Sequence, residues 1–209
     1  MLKVMKQTAK GLMSLAVAGA VVCTSLPMPV SAAPETVAGG YEIDMDRLPK
    51  VHFSKHKDWE TLYQTAWNSH KSNITAITKG LNPELTTDDT TSYYVDEAFD
   101  ETIFQWDTLF MMMFDKYGIH EFPTLNSMDN FYYHQMDAED DSDGYICRRI
   151  NQNTGQLSYS NYLTVDAINP PMFAWAEWEQ YQIHGDVTRF TKKVKGKAII
   201  DRMDSYWQF

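Results

Sequence analysis

Apolar and polar residues follow one another along most of this chain with the spacing of α-helices. A first predicted helix begins after Asp58, a residue type that suits the N-cap position. Its apolar face recurs at steps of three and four residues and comprises Trp59, Leu62, Tyr63, Ala66 and Trp67. A second helix covers about residues 108–117 and is apolar on nearly every side, so we expect it to be buried. Gly118 is its natural stop.

The second half of the chain predicts three more helices. One covers about residues 126–136, and an acidic loop, 137–143, follows it. Another opens at Pro170-Pro171, covers about residues 172–184 and ends at Gly185. The last helix has Asp186 as its cap and apolar positions at Phe190, Val194, Ile199, Met203 and Trp207. About five helices with few strand signals indicate an all-α fold.

The N-terminus has the features of a secretory signal peptide. Lys3, Lys6 and Lys10 precede an uncharged apolar stretch over residues 11–26, which is too short to span a bilayer. Small residues at Val30-Ser31-Ala32 then suit signal peptidase. We therefore expect three parts. These are a signal peptide (1–32), a linker or extended lead-in (33–57) and a helical domain (58–209) of an exported protein, secreted or periplasmic.

Charge and cysteine content narrow the classes of partner. Removal of the signal peptide takes away three lysines and no acid, so the formal net charge goes from −10 to −13. This balance disfavours nucleic acid and anionic membranes, which need a basic face, and it is compatible with a neutral ligand such as a sugar. Cys147 is then the only cysteine, so no internal disulfide can form.

Asp107 is the first polar residue that interrupts an apolar run in a way that suggests chemistry. It lies at the mouth of the second predicted helix, beside Trp106 and close to Phe104. One interpretation is that Asp107 is the N-cap of a helix that starts at Thr108. The other is that its carboxylate accepts hydrogen bonds from sugar hydroxyls while Trp106 or Phe104 covers the sugar ring.

The double proline marks a second such element. Asn169 precedes it and is either a plain N-cap or a residue that holds a ligand at the end of the helices. Trp175 and Trp178 lie three residues apart and are expected in the core. Glu177 lies between them, and its carboxyl is either a solvated or paired helix residue or a desolvated acid.

The metal-binding candidates are weak, and we expect no metal and no cofactor. The acidic segment from Asp137 to Gly144 has Ser142 at the position where a calcium-binding EF-hand loop needs glycine. His52 and His56 have a spacing of four residues, but the glutamate of a zinc-protease helix does not lie between them.

Three blocks in order resemble motifs of the six-hairpin glycosidases of clan GH-G, above all family 63 and the mannosylglycerate-hydrolase-like branch. The first block, Trp106-Asp107-Thr108-Leu109-Phe110, resembles their WD-x-x-F motif. The second joins Met128-Asp129-Asn130-Phe131 with a segment that starts at Asp143-Gly144 and resembles DG-x-I-P-R, with Cys147 in place of proline. The third, Asn169-Pro170-Pro171 with Ala174 and Trp175, resembles their (Q/N)PP helix start.

The resemblance implies a fold, a reaction and a set of ligand contacts. The fold would be an (α/α)6 barrel, which the five helices here would form only in part. The reaction would be hydrolysis of an oligosaccharide or small glycoside with inversion, and it needs two carboxyl groups roughly 6.5–9.5 Å apart. The resemblance places both beyond Phe209, so the chain would be an N-terminal fragment without activity of its own. Substrate-binding residues would be Phe104, Trp106, Asp107, Asn130, Arg148 and Asn169.

Two other functions fit the same sequence. One is a non-catalytic carbohydrate-binding protein with a degenerate six-hairpin fold. The other is a structural or interaction module in which Asp107 and Asn169 serve only as helix caps.

Overall fold

A computed structural model describes four stretches of this chain, residues 33–77, 92–96, 102–152 and 168–209. The expected signal peptide, residues 1–32, lies outside the described residues. Within them, no helix is both long enough and apolar enough to cross a bilayer.

Helices account for the larger part of the described structure. The six α-helices of these stretches are α1 (Lys57–Ser72), α2 (Gln105–Asp115), α3 (Thr124–Tyr133), α4 (Phe173–His184), α5 (Thr188–Thr191) and α6 (Ile199–Gln208). Short 3-10 turns occupy Ala38–Gly40, Met45–Arg47 and Lys116–Gly118.

Short strands pair in four separate antiparallel ladders. The pairs are β1 (Glu35–Val37) with β2 (Tyr41–Ile43), β3 (Ile74–Ile77) with β4 (Ser92–Val95), β5 (Thr102–Phe104) with β6 (Arg149–Asn151), and β7 (Lys193–Val194) with β8 (Lys197–Ala198). In the third pair Ile103 lies opposite Ile150 and Phe104 opposite Arg149, which sets the direction in which the chain enters α2.

The expectation of an all-α fold, a partial (α/α)6 barrel, is wrong, because the described chain mixes helices with antiparallel strand pairs. Strands of two to four residues are too short to show the two-residue alternation by which a strand is recognised. The second and third pairs also join segments that are far apart in sequence. Their hydrogen-bonding partners are therefore not visible in any local pattern.

The single last helix expected after Asp186 is also wrong. The chain forms α5, turns back through the β7–β8 hairpin and only then enters α6. Lys195 and Gly196 make the two-residue turn, and both have a positive φ, 49° and 80°. Two consecutive residues of positive φ give the turn whose twist matches a hairpin, and glycine at the second position makes it cheap.

Helix α1 buries a narrower face than its pattern predicts. Trp67 and His70 are buried and Tyr63 is partly buried, whereas Trp59 and Leu62 are exposed. The helix therefore packs through positions 63, 67 and 70. These positions follow the helical spacing, but they lie further towards the C-terminal end than the predicted face.

The core lies where α2 and α4 pack together and α3 packs against α2 and β4. Its fully covered side chains include Leu109, Met112, Met128, Phe131, Tyr132, Ile146 and Phe173. The end of α4 was predicted correctly, because Gly185 is its left-handed C-cap (φ 69°) and donates its N–H to the Tyr181 carbonyl at 2.8 Å. This core holds the first turn of α2, where the candidate site residues Trp106 and Asp107 lie.

Candidate functional site

Four of the six candidate residues lie where the β5–β6 pair meets α2. Phe104 ends β5, and Trp106 and Asp107 lie in the first turn of α2. The N–H of Gln105 donates to the carbonyl of Arg148 at 2.9 Å, which holds Arg148 beside the helix start. The structure therefore brings these residues together although about forty positions of sequence separate Arg148 from the others.

Asn169 is tied to the same junction through two hydrogen bonds. The Tyr206 hydroxyl donates to the Asn169 carbonyl at 2.8 Å, and the Gln105 side-chain amide donates to that hydroxyl at 3.2 Å. Gln105 immediately precedes Trp106. A chain of three polar groups thus connects the start of α2 with the segment that leads into α4.

Asn130, the sixth candidate, lies apart from this exposed group. It belongs to α3, is 2% exposed, and its side-chain Nδ2 atom is buried with no hydrogen-bond partner in the described part of the chain. A buried amide donor without a partner is costly. The structure places Asn130 in the core and not on the surface that Trp106 and Asp107 share.

Neither Asp107 nor Asn169 caps its helix, so the capping interpretation is wrong for both. The N-cap of α2 is Phe104, three residues before Asp107, and the N-cap of α4 is Met172, three residues after Asn169. The Asp107 side chain is exposed in the first turn of α2, where the positive end of the helix dipole stabilises a carboxylate. It remains accessible to a ligand.

Four exposed rings from two helices form what we call the aromatic surface, defined as Trp106 and Phe110 of α2 with Trp175 and Trp178 of α4. Their exposed fractions are 41%, 44%, 39% and 54% respectively. The Trp106 and Phe110 ring centroids are 5.2 Å apart, and those of Phe110 and Trp175 are 6.2 Å apart. Rings at these separations contact one another, so three of the four form one continuous apolar area beside Asp107.

For three of these rings the prediction of burial is wrong. Phe110, Trp175 and Trp178 were expected in the core, and the structure exposes them. The spacing of four residues between Trp106 and Phe110 was a usable signal, since it puts both rings on one face of a helix. The pattern cannot say which face of such a helix points to solvent.

Glu177 lies on the opposite side of α4 and is fully buried. Its two carboxylate oxygens accept three hydrogen bonds from the Arg189 guanidinium at 2.6–3.2 Å. Arg189 also donates to Asp129 at 2.7 Å, and Lys192 donates to the other Asp129 oxygen at 2.7 Å. Two positive and two negative groups therefore compensate one another. Glu177 is a paired residue of the interior and not an accessible acid.

This group of charges affects its neighbour Tyr132. Burial raises the pKa of Tyr132 well above its ordinary value, and the nearby Glu177 carboxylate raises it further. The phenol is therefore neutral throughout the physiological range.

A cleft of about 420 Å³ lies between the start of α4 and α6. Tyr206, which holds Asn169, is one of its lining residues, with Ala174 of α4 and Asp201, Asp204 and Trp207 of α6. It joins an exposed indole to two carboxylates. These groups can contact a polar ligand. The sequence pattern predicts Trp207 only as an apolar helix position, and it gives no signal for the two carboxylates.

The acidic loop is organised by its own hydrogen bonds. The Asp140 carboxylate accepts both the N–H of Ser142, at 2.9 Å, and its hydroxyl. These bonds lower the pKa of Asp140. Among the residues that the structure describes, no group of three or more His, Cys, Asp or Glu side chains is arranged to hold a metal ion.

Comparisons with protein-family models, with curated proteins and with solved structures give no match for this chain.

Proposed function

We propose that this chain binds a saccharide at the aromatic surface and belongs to a glycoside hydrolase that cleaves O-glycosyl bonds. The observation that supports the proposal is the contact of Trp106, Phe110 and Trp175 in the open, directly beside the exposed Asp107 carboxylate. The motif resemblance of the same residues points to the same chemistry.

The shape of a sugar determines which side chains can bind it. A pyranose has C–H groups on its two faces and hydroxyls around its edge. The faces favour contact with an indole, and the edge requires hydrogen-bonding partners. Trp106 supplies the ring, and Asp107 supplies an acceptor one residue away in the same rigid helical turn. The Asp107 carboxylate is exposed, so it can accept a hydrogen bond from a sugar hydroxyl without breaking a buried contact.

Three further residues complete the proposed contact. Arg148 is exposed and held beside the helix start through its carbonyl, so its guanidinium is available to donate to sugar hydroxyls. Asn169 is fixed through its own carbonyl, which leaves the side-chain amide to bind. Phe104 adds apolar area at the end of β5. The proposal gives all these residues a binding role and assigns catalysis to none of them.

Calorimetric titration tests the binding. The probes are methyl glucosides, methyl mannosides, maltose, cellobiose and trehalose. The control substitution is Trp59→Ala, since Trp59 is an equally exposed indole on another helix, α1. We expect Trp106→Ala to weaken binding about tenfold, the loss of roughly one stacked ring, and Trp59→Ala to leave it unchanged. Failure of all five sugars to bind, or equal effects of the two substitutions, would contradict the proposal.

A second candidate is a carbohydrate-binding protein without catalysis. It is favoured by the burial of Glu177, whose position in sequence is between Trp175 and Trp178 of α4. The Glu177 carboxylate is hydrogen-bonded to Arg189 and is not exposed to solvent. Proton NMR of each binding sugar separates the two candidates when the sugar is incubated with this chain and, separately, with the product of a reading frame extended beyond Phe209. Release of a product with inverted anomeric configuration by the longer protein supports the hydrolase, and unchanged spectra with both proteins support binding alone.

A further inference from the structure

An apolar groove of about 590 Å³ lies at the end of α2 that is distant from Asp107. It is formed by α1, the C-terminal end of α2 and the segment before α1. Its walls are Pro49, Val51, Tyr63, Ala66, Trp67, Ser69, Phe114 and Tyr117. Cavities of this volume are typical of sites for small molecules.

The groove offers a ligand very little hydrogen bonding. The Tyr63 hydroxyl is already engaged, since it donates to the Pro49 carbonyl at 2.5 Å. The other walls are rings and aliphatic groups, apart from the Ser69 and Tyr117 hydroxyls. A sugar placed here would leave most of its hydroxyls without partners, so the occupant that fits is apolar.

Exposed rings along α2 lead from the proposed saccharide site towards the groove. Trp106, Phe110 and Phe114 lie at successive steps of four residues, and each is about two-fifths exposed. Side chains at this spacing lie on one face of a helix. Phe114 is also a wall of the groove. From Trp106 to Phe114 the helix rises about 12 Å.

We infer that the ligand is a glycoside with a long apolar aglycone, whose sugar lies at Trp106 and Asp107 and whose tail follows Phe110 and Phe114 into the groove. This inference rests on the proposed function and names the class of its ligand. The chemistry changes along the path in the same order as in such a molecule. A carboxylate and an indole come first, then exposed rings, then an almost wholly apolar concavity.

Thioglycosides with alkyl chains of increasing length provide the test, because the sulfur linkage resists hydrolysis. Methyl, hexyl, octyl and dodecyl 1-thioglucosides and 1-thiomannosides of both anomers are titrated below their critical micelle concentrations. Each added methylene buried in the groove should tighten binding about fourfold until the groove is filled. The same affinity for methyl and octyl compounds would overturn the inference.

Ala66 allows a variant that changes the groove without touching the core. It is exposed on α1 and lines the groove, so Ala66→Glu places a charge there and keeps a good helix former. Asn68→Glu adds the same charge at another exposed position of α1 that is not a wall of the groove. We expect the gain with chain length to disappear in Ala66→Glu and to persist in Asn68→Glu. A gain that survives Ala66→Glu would contradict the inference.

The two proposals fail in different ways. Binding of methyl thioglycosides that Trp106→Ala weakens, without any gain from longer chains, would keep the saccharide site and remove the aglycone. Equal affinity for octyl thioglycosides and for octanol would show that the groove binds apolar molecules without a sugar, and would overturn the joint ligand. A chain-length gain that needs both Trp106 and an unmodified Ala66 position supports it.

Discussion

Helix α4 has two sides that reverse the usual rule for a helix at a protein surface. On one side it exposes Trp175 and Trp178, and on the other it buries Glu177 completely. Amphipathic patterning would place the indoles inside and the carboxylate outside. The reversal shows that the available interaction partners determine which side chains of α4 are buried. Glu177 is inside because Arg189 meets it there, whereas Trp175 and Trp178 remain exposed.

The two sides therefore differ in what they contribute. Substitutions on the inner side should lower the free energy of unfolding strongly, because each buried charge depends on a specific partner. The outer side contributes little to stability, and large exposed apolar areas of this kind mark binding surfaces. Substitutions on the two sides should accordingly affect different measurements.

The largest effect is expected on the inner side of α4, from removal of Glu177. Glu177→Ala leaves Arg189 buried beside a single remaining carboxylate, and breaking a buried pair in this way costs about 3–5 kcal/mol. Urea denaturation at pH 7 measures the loss. The matched control is Glu179→Ala, two residues further on, whose partner is Lys116 and whose side chain is partly exposed. It should cost about 1 kcal/mol or less.

Replacing both members of the inner pair sharpens the result. Glu177→Met combined with Arg189→Met removes the two charges together, and such apolar replacements are often close to neutral. A double variant that is less destabilised than Glu177→Ala alone would show that the cost arises from the unpaired charge. Equal losses for Glu177→Ala and Glu179→Ala would contradict the comparison between the two sides.

How far the sequence could predict this structure differs from element to element. The range of α4 and its end at Gly185 were predicted nearly to the residue, since proline and glycine act locally at helix ends. The side that α4 buries could not be predicted. It depends on Arg189, which arrives from α5 after a turn, and on contacts with α2 that no single helical pattern contains.

In the strand pairs and in the candidate site, too, features formed by neighbouring residues could be predicted, and contacts between residues far apart in sequence could not. The junction of Phe104, Trp106 and Asp107 was found because its residues are consecutive. The contact of Gln105 with Arg148, and its link through Tyr206 to Asn169, joins residues far apart and required the structure. No local pattern in the sequence distinguishes Tyr206 from its helical neighbours.

A second, smaller effect on the interior is expected at alkaline pH. Cys147 is fully buried, and burial raises the pKa of its thiol from 9.0 to about 12. The unfolded chain loses this proton first, so the stability that the neutral thiol provides is complete below pH 9 and is lost as the pH rises towards 12. Between pH 8 and pH 10.5 we expect a loss of about 2 kcal/mol from this group.

Urea titrations at both pH values, made on the parent chain and on Cys147→Ala, isolate the thiol. The substitution should lower stability at pH 8, because it leaves a small cavity, and should flatten the decline above pH 9. Burial also raises the pKa of Tyr41, to about 12, so ionisation of Tyr41 lowers the free energy of unfolding in both proteins. This contribution cancels in the difference between them. Parallel declines in the two proteins would show that Cys147 does not titrate as a buried group.

Loss of the Tyr206 hydroxyl of α6 should have an intermediate effect. Tyr206→Phe removes the hydroxyl that donates to Asn169 and accepts from Gln105, so one buried and one partly buried group lose a partner. We expect a loss of about 1.5 kcal/mol in urea denaturation. Tyr93→Phe, which removes an exposed hydroxyl bonded to the Gly39 carbonyl, should cost about 0.5 kcal/mol or less. Equal losses would mean that the link between α2 and Asn169 contributes no more than a surface hydrogen bond.

The smallest effect on stability is expected on the outer side, at Trp178. Its side chain is 54% exposed, so Trp178→Gln should change the free energy of unfolding by about 0.5 kcal/mol or less. The same substitution removes apolar area from the aromatic surface, and it should reduce self-association in sedimentation at high protein concentration.

Phe173→Gln provides the opposite case, because Phe173 lies one turn earlier on the buried side of α4 and packs against Phe131, Tyr132 and Tyr206. It should cost several kcal/mol, about 3 or more, without a reduction in association while the protein remains folded. If Trp178→Gln were instead as destabilising as Phe173→Gln, the indole would have to be packed, and the division of α4 into a stabilising side and a binding side would not hold.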